Sequence, residues 1–171
     1  MRQSLRNPID GKQGMHSNEV VFFLPGLPLT KSSNHQQRRA YQRRILHAFL
    51  GAALECGFAP VKKDEALEIH ITSIFHSHHH PEGERYINGP DADNIAVLIM
   101  NALKRPHNKP QSSQKYLYND DCIVSDLISR KRWSQERQGV EIRITRIPIP
   151  SLPSNNNRRT LNHTLITARA A

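Results

Sequence analysis

GPDADNIAVLIMNAL, residues 89–103, passes from turn chemistry to helix periodicity within a few residues. Gly89-Pro90 punctuates the chain. Behind it Ile95, Leu98, Ile99 and Ala102 recur at the spacing of one helical face, so the stretch reads as an amphipathic helix. Asp91 and Asp93 sit at its mouth. Asp is a favoured N-cap, and negative charge suits the positive end of the helix dipole. That accounts for one aspartate. Two side by side repel each other unless something positive sits between them.

Outward from this helix the chain divides into short elements. EVVFFL (19–24) is apolar, β-branched and aromatic, and reads as a strand. PGLPLTKSSNHQQR follows as a loop. Tyr41, Ile45, Leu46, Phe49, Ala52, Ala53 and Cys56 then recur at helical spacing up to Gly57, with Arg38, Arg39, Arg43 and Arg44 largely on the other faces. ALEIHITSIF (66–75) alternates as a half-buried strand. HSHHHPEGERYINGP is a polar loop, and KRPHNKPQSSQKYLYND is a second, basic one. IVSDLISRKRW alternates loosely, GVEIRITRI (139–147) cleanly, and SQERQG between them reads as a hairpin connection. Strand, helix, strand, helix, strand, strand predicts an α+β fold, an α/β layer with a mixed sheet of about four strands and two main helices. Residues 1–18 and 148–171 are polar or Pro/Ser/Asn-rich and read as tails around one domain, 19–147.

Composition narrows the function classes. The chain has 171 residues, 24 Lys+Arg against 15 Asp+Glu, and a formal charge of +9. That balance points to a polyanionic partner, most simply nucleic acid. Cys56 and Cys122 stand in no metal-ligand or disulfide pattern, which fits a reducing cytoplasm and small packing residues. No apolar run has the length of a membrane span, and MRQSLRNPIDGKQG lacks the apolar stretch of a secretory signal.

The acidic residues bear on chemistry. Besides Asp91 and Asp93, a second pair, Asp120-Asp121, opens a strand where turn chemistry explains only one of them. A hard divalent cation takes oxygen ligands and would offset the repulsion of such a cluster. On a basic protein it could bind a phosphate oxygen and activate water. Spacing alone leaves metal-dependent phosphodiester chemistry and ordinary capping and turns both open.

GPDADN before a helix ending in NAL, then DD and a strand, then KRW, a short turn and GVEIRI, resembles the RusA family of Holliday junction resolvases. The LPGLP loop with Lys31 and the Arg-rich helix agree, and the resemblance spans about 19–147. It implies a Mg²⁺-dependent endonuclease, with Mn²⁺ as an alternative ion, that acts as a homodimer on four-way junction DNA in recombination and repair. Such a protein would be cytoplasmic and bacterial or phage-encoded. The resemblance assigns Asp91, Asp93 and Asp121 to catalysis and metal binding, with Asp120 as a further candidate ligand, and Asn94 to a local bond at the helix start. Water would attack the phosphate in line, leaving 5′-phosphate and 3′-hydroxyl ends, and a two-fold dimer would make paired nicks.

One position departs from the family pattern. A lysine is expected four residues after the second aspartate, where this chain has Val97. Lys31, Lys104, Arg105 and Lys115 are the cations available to replace it. Phosphate contacts would come from Lys31, Arg38, Arg39, Arg43, Arg44, Lys104, Arg105, Arg130, Lys131 and Arg132, giving salt-sensitive binding. Trp133 reads as packing rather than a base-stacking residue. His76, His78 and His80 would share a side of an extended chain, but without the usual zinc partners the run reads as a loop with incidental metal affinity. Two other readings remain: a junction- or DNA-binding protein without cleavage, which Val97 favours, and a Mg²⁺-dependent phosphatase or nucleotide hydrolase using the same acids.

Overall fold

A computed structural model describes residues 17–59, 61, 65–104 and 116–149. Six elements follow in order: β1 (Glu19–Pro25), α1 (His35–Cys56), β2 (Glu65–His76), α2 (Ala92–Leu103), β3 (Val124–Ser134) and β4 (Gly139–Pro148). A 3-10 turn, Asp121–Ile123, leads into β3. The fold is α+β: a mixed four-stranded sheet with order β1-β4-β2-β3 and two helices. Both expected tails lie almost wholly outside the described residues, as do Arg105 and Lys115.

Each element ends where its sequence allows. Asn34 caps α1, its side chain accepting from Gln37 N at 2.9 Å. Gly57 closes the helix with φ 70°, a left-handed conformation that costs glycine little. The inward faces of β1, β2 and β4 bury Val20, Phe22, Ile69, Ile71, Ile142 and Ile144 against Tyr41, Ile45 and Phe49 of α1 and Ile95, Leu98 and Ile99 of α2. Each such side chain contributes about 1.5–3 kcal/mol on leaving water.

The hairpin expected between the last two strands does not form. β4 pairs antiparallel with both β1 and β2, while β3 pairs parallel with β2 at the sheet edge. Burial explains the order. Val140, Ile142 and Ile144 are fully buried, so β4 takes a central place, whereas Ser125, Asp126 and Leu127 of β3 are exposed and suit an edge. SQERQG therefore carries the chain past β2 rather than around a tight turn.

Candidate active site

The Gly-Pro turn and β3 together position the start of α2. Asp91 is the N-cap residue, but its side chain makes no cap hydrogen bond to the helix backbone. Its Oδ2 accepts from Asn94 Nδ2 at 3.3 Å, the local bond expected of Asn94. Asp93 lies in the first turn, and both carboxylates are exposed. Ser129 Oγ of β3 donates to Ala92 O at 3.0 Å. Lys131 Nζ donates to Pro90 O at 2.9 Å and to Asn88 O at 3.3 Å, and stands 5.0 Å from the Tyr86 ring centre. These bonds tie the acidic mouth of the helix to a basic strand.

Positive charge surrounds that mouth. A groove of about 540 Å³ touches Ala92, between the two aspartates, and is walled by Arg85, Arg130, Lys131 and Arg132 together with Tyr86 and Ile87. Arg132 NH1 donates to Gly83 O at 3.2 Å. Arg85 and Arg130 have no side-chain partner among the described residues, so their guanidinium groups are free for an anion. From the other side, Lys31 N donates to Asn94 O at 3.2 Å, and Arg38 NH1 to Lys31 O at 2.9 Å. The LPGLP loop thus brings Lys31 and Arg38 to the start of α2. Arg44 is turned elsewhere, its NH2 donating to Pro25 O at 2.6 Å, while Arg39 and Arg43 are exposed on α1.

Asp121 sits at the other end of α2. Its Oδ2 accepts from Lys104 Nζ at 2.6 Å. Lys104 caps the C-terminus of the helix, and the bond to Asp121 holds its ammonium above the ordinary lysine value. Tyr118 OH donates to Met100 O at 3.0 Å beside the same carboxylate. Burial, and then the Asp121 charge, raise the Tyr118 hydroxyl well above its usual range. Asp120 caps the 3-10 turn, its Oδ1 accepting from Cys122 N at 3.4 Å.

From Asp93 to Met100 the helix rises roughly 10 Å at 1.5 Å per residue. Carboxylates sharing a Mg²⁺ hold it at about 2.0–2.1 Å. Within one chain, then, Asp121 does not meet Asp91 and Asp93, and among the described residues no three His, Cys, Asp or Glu side chains group closely enough to hold a metal ion. Asp91 and Asp93 by themselves offer the hard oxygen donors that Mg²⁺ takes when substrate phosphate and water complete its shell.

Other residues singled out in the sequence take structural places. Trp133 stacks on His80 at 4.4 Å and meets Tyr86 edge-on at 4.5 Å. His80 Nδ1 also pairs with Glu84 Oε2 at 2.9 Å, which draws it away from His76 and His78, whose Nε2 atoms lie 3.2 Å apart. Cys56 is half-buried near the core, but Cys122 is exposed and fills no packing position, because it belongs to the surface turn before β3. Sequence reading missed Arg85 and Tyr86 as parts of the site. The only signal was a basic and an aromatic residue inside a loop, where no periodicity shows which way they face. Among the described residues no helix is long and apolar enough to cross a membrane. No protein-family model matches the chain, and no curated protein is similar to it.

Proposed function

We propose that this protein is a Mg²⁺-dependent endonuclease that resolves four-way DNA junctions by paired nicks. The supporting observation is the start of α2: Asp91 stands at the cap position without capping, near Asp93, and Ala92 between them lines a groove whose walls include Arg85 and Arg130, both without a side-chain partner among the described residues. The helix dipole accounts for one negative charge here but not for a pair, and the groove suits a phosphodiester backbone. A Mg²⁺ ion held by Asp91 and Asp93, with Mn²⁺ as the alternative, would polarise a phosphate oxygen and lower the pKa of the attacking water. Arg130, Lys131, Arg132 and Arg85 hold the strand and fix which phosphate reaches the acids. Lys31, delivered next to Asn94, takes the charge-stabilising task that the family lysine would perform at Val97. Asp121, with Lys104 and Asp120, forms the second half of the acidic machinery. The resemblance to the RusA family, a cytoplasmic setting and a homodimer belong to the same reading.

The test is cleavage of a labelled four-way junction by wild type, Asp91→Asn and Asp121→Asn with Mg²⁺. Wild type cuts two strands symmetrically, and both variants bind the junction without cutting it. Equal cutting by all three removes the site. The separation of Asp121 from Asp91 and Asp93 within one chain favours a second reading, a junction-binding protein without cleavage. Binding by wild type with no Mg²⁺-dependent product would establish it. Turnover on free nucleotides but not on junctions would instead indicate a phosphatase or nucleotide hydrolase.

A further inference from the structure

The histidine run after β2 takes no part in the site at the start of α2. His76 is the last residue of β2 and pairs in register with Ser134 of β3. Ser77 N donates to Ser134 O at 3.0 Å, and His79 N donates to Ser77 Oγ at 3.2 Å. That turn bends the chain, so two residues that an extended strand would hold roughly 6.5 Å apart meet at their ring tips. His76 Nε2 and His78 Nε2 stand 3.2 Å apart, with ring centres 4.5 Å apart and ring planes at 86°. Beyond them the chain is fastened again. His80 stacks on Trp133 and pairs with Glu84, and its carbonyl accepts from Gln135 Nε2 at 2.9 Å. The segment that carries the pair is thus held on both sides by the end of β3, while His76 and His78 are themselves exposed.

That separation matches a shared ion. Two nitrogens in one tetrahedral Zn²⁺ shell, each ~2.0–2.1 Å from the metal, lie roughly 3.3 Å apart. A hydrogen bond between the rings has a similar length, but between exposed groups it only replaces bonds to water and gains little. We infer that His76 and His78 form a two-histidine chelate for a borderline divalent transition ion, Zn²⁺, Ni²⁺ or Cu²⁺, whose remaining positions are open to water. Imidazole nitrogen suits these ions, whereas Mg²⁺ keeps to oxygen donors. The site is therefore separate from Asp91 and Asp93 in both residues and ion, and it stands apart from the nuclease reading. No third His, Cys, Asp or Glu side chain joins the pair among the described residues. The shell is not the closed four-ligand cage of a structural zinc, and its ion is exchangeable.

Titration of the full chain with Ni²⁺ tests this, followed by calorimetry and by the fluorescence of Trp133. Trp133 is the chain's single tryptophan and pairs in register with Phe75, next to His76, so a paramagnetic ion on the pair quenches it. Wild type binds Ni²⁺ with quenching. His76→Ala and His78→Ala each weaken that binding by at least the ~10-fold that losing even a supporting group costs at a metal site. His78→Gln, which keeps a polar side chain in place, gives the same loss. His79→Ala, a neighbour in the same run, leaves binding unchanged, and all variants keep the wild-type circular dichroism spectrum. Zn²⁺ displaces Ni²⁺ from the pair, and excess Mg²⁺ does not. Wild type without quenching, or binding that survives loss of His76 or His78, overturns the inference. An equal loss in His79→Ala overturns it as well, since the run and not the pair would then hold the ion. Displacement by Mg²⁺ does the same.

Discussion

Asp91 occupies the N-cap of α2, yet its carboxylate accepts from the Asn94 side chain at 3.3 Å and from no backbone N–H of the helix. At α1 the same position is used in the ordinary way, with Asn34 accepting from Gln37 N. Asn34→Ala should therefore cost about 1 kcal/mol, the usual value for a lost cap, and Asp91→Ala clearly less. Urea unfolding measures both. Asp91→Ala should nevertheless abolish junction cleavage, and a cost equal to that of Asn34→Ala would return Asp91 to plain helix capping.

Lys104 and Asp121 form an ion pair at the far end of the same helix. If Asp121 acts in the chemistry, its partner positions it. Lys104→Met should lower cleavage about 10- to 100-fold, the range found when a group supporting a ligand is lost, with little change in junction affinity. A parallel fall in affinity would show that Lys104 contacts DNA directly.

The arginines of the groove should act through phosphate. Arg130→Ala and Arg85→Ala should each weaken binding to junctions of any sequence and reduce the slope of log affinity against log salt by about 1. Salt titration by fluorescence anisotropy reads this. An unchanged slope with altered sequence preference would mean base contacts instead.

Stability should fall at alkaline pH. Burial pushes the Tyr41 hydroxyl up to about 12 from an ordinary value of 10.0, and raises Tyr118 as well. A raised value in the folded state means that the unfolded chain loses its proton first. The contribution is thus complete below pH 10 and is lost as pH climbs through the folded values. For Tyr41 the loss is at most ~2–3 kcal/mol by pH 12. Urea midpoints between pH 8 and 11 should decline, and Tyr41→Phe should flatten part of that decline; a midpoint that rises with pH would contradict it.

Periodicity made most elements legible. Ile95, Leu98, Ile99 and Ala102 marked the buried face of α2, and the alternation of Val140, Ile142 and Ile144 marked β4, because burial on one side of a regular element leaves its period in the sequence. Strand order left no such trace. The short link after Ser134 looked like a hairpin, but the link and the alternation are compatible with either neighbour, and the sheet placed β4 by how completely it could be buried.

The sequence alone determined that two pairs of acids open two regular elements on a basic chain. Side-chain type and local turn signals are enough for that. Tertiary structure decided that Lys31, Arg85 and Lys131 gather at the first pair, and that Asp121 is held by Lys104 at the far end of α2. Those placements depend on how helix, loop and sheet edge pack across long stretches of chain, and packing at a distance has no periodicity to read.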